Sequence, residues 1–212
     1  MTSITVFIVD DDIGIRRSLA LLLETVNLKS ACFANADAFL AGCGPNPQGC
    51  LILDVRMPGM SGLQLQEEMA RRQIQLPIIF LTGFADIPMT VEAISKGALD
   101  LITKPVNGAA LLARVHSALE INRLQRETSA ARAQFEAYLL QLTPRELEVL
   151  VLALAGKQNK TISKELGISV RTIEGYRQHI FLKLGIDSLI QLAQQAASVG
   201  MPLSDIGKLT PK

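Results

Sequence analysis

Between Ile4 and Thr103, five short and almost wholly apolar runs alternate with stretches of helical period, and few folds accept that rhythm. The runs are Ile4–Val9, Ser30–Phe33, Cys50–Leu53, Pro77–Leu81 and Leu99–Thr103. Between them, Ile15, Leu19, Leu22, Leu23 and Val26 recur at a 3.6-residue spacing, as on one face of a helix. Shorter helices are predicted over Asp37–Leu40, Leu63–Arg72 and Pro88–Lys96, and a last one starts near Gly108 with Leu111, Leu112, Val115 and Leu119. Strands apolar on both faces must be covered on both faces. Helix after strand at this interval therefore predicts a doubly wound, five-stranded parallel sheet.

The second half changes character. From Leu119 to Leu142 there is no Pro or Gly, and Ala, Glu, Gln and Arg dominate, so a long linker helix is predicted. Thr143-Pro144-Arg145-Glu146 supplies an N-cap, a Pro at the first helical position and an acid at the third. The helix it starts carries Leu147, Val149, Leu150, Leu152 and Leu154, and Gly156 stops it. Asn159–Leu166, Val170–Leu184 and Leu189–Ala197 follow as helices, with a Gly167-Ile168-Ser169 turn between the first two. This is an α/β domain joined by a helix to a small all-α domain. The expected boundaries are 1–122, a linker at 123–141, the helical domain at 142–198 and a flexible tail at 199–212.

Composition narrows the function. No run approaches the roughly 20 apolar residues that span a bilayer, and the first residues do not read as a secretory signal, so a cytoplasmic protein is expected. Cys32, Cys43 and Cys50 are odd in number and lack metal-ligand spacing, and His116 and His179 are the only histidines. A zinc site built on histidine is thereby disfavoured. The net charge is only +1, but residues 143–185 hold 7 Lys and Arg against 4 Asp and Glu, a mild excess that suits a nucleic-acid face without establishing one.

Acids close two of the apolar runs: Asp10, Asp11 and Asp12 after the first, and Asp54 after the third. In an open parallel sheet the carboxyl ends of the strands face one crevice. Asp54 is the candidate nucleophile for a phosphoryl group, and Asp10, Asp11 and Asp54 itself are candidate ligands of Mg²⁺, with the Arg56 carbonyl as a further one. Thr82 ends the fourth run and offers a hydroxyl; Lys104 ends the fifth and offers an ammonium, which a cis bond to Pro105 would aim inward. Asp12 reads either as a third acid or as the N-cap of the first helix. Neither a Ser/His nor a Cys/His arrangement is placed to activate a nucleophile, so aspartyl-phosphate chemistry fits better than hydrolysis.

Val9-Asp10-Asp11-Asp12, Leu53-Asp54-Val55-Arg56-Met57-Pro58-Gly59-Met60-Ser61-Gly62, Leu81-Thr82-Gly83 and Thr103-Lys104-Pro105 resemble the receiver domain of two-component response regulators. Asp86-Ile87-Pro88-Met89-Thr90-Val91 is similar to the branch of that family found in nitrogen fixation and aromatic degradation. The resemblance implies a flavodoxin-like sheet, transfer of phosphate from a sensor histidine kinase to Asp54, and movement of Thr82 toward that phosphate. One position departs from the pattern. Leu101 stands where receivers place a Phe or Tyr that swings between two rotamers, which shifts the expected coupling to the Pro88–Lys96 helix, the fifth strand and the linker.

In the second domain, Gln158–Gly185 has the cadence of a helix-turn-helix, whose second helix suits the major groove. Lys160, Arg171 and Lys183 are candidate phosphate contacts with Thr172 as a nearby donor, while Glu174, Arg177, Gln178, Lys183 and the backbone near Gly175 face away from the apolar side. Leu142-Thr143-Pro144-Arg145-Glu146, Asn159-Lys160-Thr161-Ile162-Ser163, Leu166-Gly167-Ile168-Ser169, Arg171-Thr172-Ile173-Glu174-Gly175-Tyr176-Arg177 and Leu182-Lys183-Leu184-Gly185 resemble LuxR-type DNA-binding domains. That likeness adds Ser169 to the DNA-contacting set and places Glu174, Gly175 and Gln178 on the groove-reading face. It also offers the helix with Leu189, Ile190, Leu192 and Ala193 as a dimerisation element, the alternative being a helix that closes its own core.

The reading as a whole is a transcription regulator, not an enzyme, that takes phosphate on Asp54 with Mg²⁺ and binds double-stranded promoter DNA as a homodimer. The alternatives are a constitutive DNA-binding protein whose first domain only dimerises, and a small phosphatase with a helical accessory domain.

Overall fold

The computed structural model describes residues 4–83 and 100–209. Its first part runs β1 (Thr5–Val9), α1 (Ile13–Glu24), β2 (Ser30–Phe33), α2 (Ala36–Gly42), β3 (Gly49–Asp54), α3 (Gly62–Arg71), β4 (Ile78–Thr82) and β5 (Asp100–Thr103). All five strands are parallel, in the order β2-β1-β3-β4-β5. The helix expected at Pro88–Lys96 lies outside the described residues. The order reverses direction between β1 and β3, and the crevice beyond that switch point is where open α/β sheets place their ligands.

The period-2 alternation of each strand divides the core in two. Val6, Ile8, Ile52, Ile79 and Leu81 point to one face, where they pack with Leu19 and Leu23 of α1. Phe7, Val9, Leu51, Leu53 and Phe80 point to the other, against Phe39 of α2 and Leu65 and Met69 of α3. Each fully buried side chain of this size stabilises the fold by about 1.5–3 kcal/mol. Cys50, buried in β3, is one of these packing residues, and burial pushes its thiol up to about 12.

A single helix, α4 (Gly108–Leu139), follows β5. Its Leu111, Val115 and Ala118 complete the first face of the sheet. Asn122 is buried on the same helix; its amide accepts from Gly49 N at 3.0 Å and donates to Gln75 O at 3.2 Å. One side chain thus satisfies the backbone at the start of β3 and in the segment leading into β4, where an unpaired buried polar group costs about 1–3 kcal/mol.

The chain divides into two compact units between Gln125 and Arg126. In the second, α5 (Pro144–Leu154), α6 (Asn159–Leu166), α7 (Val170–Leu184), α8 (Leu189–Ser198) and α9 (Leu203–Ile206) enclose one apolar core. Phe135 and Leu139 of α4 are buried in it, so the last turns of the helix read as a linker belong to this unit. Residues 199–209 correct the expectation of a flexible tail from 199: Met201 is 3% exposed and Ile206 is fully buried. Gly200 and Pro202 punctuate that segment, but two apolar anchors outweigh the punctuation.

Candidate functional site

The register of the sheet assembles the site. Val9 pairs with Leu53, so the next residues along β1 and β3, Asp10 and Asp54, emerge side by side. Leu81 pairs with Asp54 and Thr82 with Thr103, which brings the ends of β4 and β5 to the same crevice. Lys104 N donates to Thr82 O at 2.8 Å, and the peptide between Lys104 and Pro105 is cis.

Asp10 is fully buried, Asp54 is 7% exposed and Asp11 is open to solvent. One carboxylate oxygen from each of the three can be chosen so that all lie within 4.8 Å of one another. Lys104 Nζ bridges two of them, at 2.9 Å from Asp10 Oδ2 and 3.0 Å from Asp54 Oδ1. Burial lifts the Asp54 carboxyl above its ordinary range; the Lys104 contact opposes this, and the charges of Asp10 and Asp11 reinforce it. Burial works against the Lys104 ammonium too, but its bonds to Asp10 and Asp54 outweigh it and hold the pKa above the usual lysine value. Three anionic oxygens served by one ammonium leave an excess of negative charge. Hard carboxylate oxygens so gathered suit a divalent cation of the Mg²⁺ class.

The surrounding residues fix this arrangement. Asp12 is the N-cap of α1, its Oδ1 accepting from Gly14 N and Ile15 N, which resolves the two sequence readings in favour of the cap. Asp10 Oδ1 accepts from Asp12 N at 2.8 Å, and Arg16 donates to the Asp10 carbonyl, a support the sequence did not signal. Arg56 lies two residues past Asp54 with its side chain exposed. Thr82 is fully buried and its hydroxyl donates to Gly83 O at 3.1 Å. Gly62 opens α3 directly over the backbone of Asp54: a Cβ there would sit 2.2 Å from the Asp54 carbonyl oxygen. Leu101 is half-buried against the core face that holds Phe80, its neighbour on β4.

The second unit presents a different surface. Gly167, in the left-handed conformation at φ 67°, ends α6, and Ser169 caps α7 by accepting from Thr172 N at 3.1 Å. Ile173 and Ile180 face inward, while Arg171, Thr172, Glu174 and Gln178 are exposed and Gly175 is half-buried. Lys160 on α6 is exposed as well. Two of the expected contacts are already engaged: Arg177 donates to Asn159 Oδ1 at 3.0 Å, and Lys183 Nζ lies 2.6 Å from Glu146 Oε2. Glu146 is buried at the third position of α5, where it completes a capping box with Thr143. Burial works against its charge, but Lys183 and the Thr143 donors together hold its pKa below the usual carboxylate value.

Comparison with known proteins follows the same division. A family model described as the response regulator receiver domain matches residues 6–116, and one described as bacterial regulatory proteins, luxR family, matches residues 140–196. Nodulation protein W of Bradyrhizobium diazoefficiens is 41% identical over 200 residues, covering 94% of this chain and 88% of its own. The transcriptional regulatory protein FixJ of Azorhizobium caulinodans is 39% identical over 203 residues, covering 96% of each chain. The solved structure of response regulator StyR is 40% identical with a TM-score of 0.77, covering 91% of this chain and 98% of that one.

Proposed function

Since the chain belongs to the response regulators that join a receiver domain to a LuxR-type DNA-binding domain, we propose that Asp54 is its phosphoacceptor and that phosphate there governs its binding to duplex promoter DNA. Both matching families are regulatory rather than enzymatic. The observation that carries the reading is the placement of Asp10, Asp11 and Asp54 around one point with Lys104 across two of them.

The chemistry follows from those groups. Asp54 offers an exposed edge of an otherwise buried carboxylate, so one oxygen attacks the phosphorus of a phosphohistidine on a sensor kinase. The new O–P bond forms as the N–P bond breaks, and the electron pair returns to the imidazole. Lys104 is already held against Asp54 and shifts its ammonium toward the incoming phosphoryl oxygens. Thr82, buried one strand away, turns its hydroxyl from Gly83 O to a phosphoryl oxygen. Asp10, Asp11 and Asp54, with the Arg56 carbonyl, would hold Mg²⁺, which would offset the charge of the acids and of the phosphoryl group.

In the second unit, Lys160, Ser169, Arg171 and Thr172 face the DNA backbone, and Glu174, Gly175 and Gln178 face the major groove, with Arg177 held at its edge by Asn159. Two chains pair on adjacent half-sites, with Ile190, which is 71% exposed on α8, as the central apolar contact. Among the described residues no helix is long and apolar enough to cross a membrane.

The test is intact-mass analysis after acetyl phosphate and Mg²⁺, paired with footprinting on genomic fragments the protein selects. One phosphoryl on Asp54 and stronger protection afterwards are expected. No adduct, an adduct elsewhere, or protection indifferent to phosphate and to Asp54→Ala would overturn the reading. A second reading, constitutive DNA binding with the first unit as a dimerisation scaffold, is favoured by Leu101 alone, since leucine lacks the ring that receivers dock behind a displaced threonine. Equal protection with and without phosphate is its signature.

A further inference from the structure

We infer that Lys183 is a positioning residue that fastens the carboxyl end of the recognition helix α7 to the buried Glu146 of α5, and is not a DNA phosphate contact. The inference rests on the reading of the second unit as a DNA-binding module.

Glu146 is 3% exposed, and a single oxygen, Oε2, accepts from Thr143 N at 2.7 Å, Thr143 Oγ1 at 2.9 Å and Lys183 Nζ at 2.6 Å. Lys183 brings the only full positive charge among those donors, so removing it leaves a buried carboxylate served by neutral groups alone. The helix geometry agrees. Lys183 lies three residues past the buried Ile180 and one before the half-buried Leu184, and its side chain, 37% exposed, reaches along the protein surface to the buried Glu146. Arg171, Gly175, Gln178 and Leu182 follow each other at spacings of three or four along a separate outward row, about a quarter-turn or more from Lys183. Lys183 is also twelve residues beyond Arg171, which at 1.5 Å per residue is about 18 Å along the axis from the end that enters a groove.

The other cations of residues 143–185 sort the same way. Arg145 pairs with Glu148, Lys157 with Glu165, and Arg177 with Asn159. Lys160, Lys164 and Arg171 are exposed and without an ion pair among the described residues. The exposed positive charge that is not already paired therefore lies on those three, while Lys183, exposed but held to Glu146, sets where α7 ends relative to α5.

Salt dependence separates the two roles, because each phosphate contact contributes about 0.9 to the slope of log K against log salt on duplex DNA. The experiment is anisotropy of the full chain on a labelled mixed-sequence duplex of about forty base pairs, from roughly 50 to 200 mM salt. Lys183→Met is expected to weaken binding by the same factor, about three- to tenfold, at every salt concentration, with the slope of the parent. Arg171→Met lowers the slope by about 0.9. Lys183→Arg restores most of the loss by reaching Glu146 again. Glu146→Gln, which keeps the Lys183 charge, weakens binding as Lys183→Met does, and the double variant is no worse than the weaker single one. A slope reduced by about 0.9 in Lys183→Met, or tighter binding in Glu146→Gln, overturns the inference. If Lys183→Met does not fold, Glu146→Gln decides it by the direction of its change. Absence of binding by the parent chain would instead overturn the DNA-binding reading of the whole unit.

Discussion

The two units treat buried charge in opposite ways. In the first, two of the groups proposed to capture phosphate, Asp10 and Asp54, are enclosed at strand ends, and the crevice gathers more negative charge than Lys104 balances. In the second, the buried charge of Glu146 is fully partnered, and the groups proposed to meet DNA lie outside on α6 and α7. A site that captures a small, highly charged group benefits from low dielectric and convergence, whereas a site that meets a long polyanion needs reach and solvent access.

The sharpest test of that contrast is Asp54→Asn. It is expected to abolish phosphoryl uptake completely, as read by intact mass, while raising the melting temperature of the first unit, because it removes a carboxylate whose ionised form burial opposes. A lowered melting temperature would show the crevice to be balanced after all.

Next in size is Asn122→Leu, which orphans Gly49 N and Gln75 O. A loss of about 1–3 kcal/mol in urea unfolding and faster exchange of the Gly49 amide are expected, without loss of phosphoryl uptake.

Glu146 gives a pH signature. Its folded pKa lies below that of the unfolded chain, so its contribution is present above about pH 4.5 and fades as pH falls through the folded value. Glu146→Gln should lower stability at neutral pH by about 1–2 kcal/mol and converge on the parent in acid, followed by exchange in α5 and α7. Parallel curves would mean that the carboxylate charge is not what Lys183 holds.

The smallest effect on stability is expected at Ile190→Ser, within about 0.5 kcal/mol, because the side chain is 71% exposed. Sedimentation on DNA should nevertheless show weaker pairing. A large loss of stability would make α8 a core element only.

Much of this was legible before any coordinates. Apolar runs of four to six residues separated by 3.6-period stretches specify a parallel sheet, and acids that close such runs must share one edge. Asp10, Asp54, Thr82 and Lys104 were found that way, and all four stand at the crevice. What periodicity cannot register is pairing across the chain. The Glu146–Lys183 contact joins residues 37 apart, and the Asn122 bonds span 73 and 47. Asp12 could be assigned as a cap only once its oxygen was seen against Gly14 N. Met201 and Ile206 were hidden for another reason: isolated apolar residues between Gly and Pro carry no period, yet each fills the core of the second unit.

Gly62 has a consequence for how this protein can drift in sequence. At position 62 the smallest added carbon would collide with the carbonyl of Asp54, the proposed phosphoacceptor, at 2.2 Å. A saturation library there should therefore be almost barren, whereas Asp11, exposed to solvent, is expected to accept polar replacements without loss of the fold. Lineages are thus free to retune the acids but not the bare backbone that lets a helix begin above them.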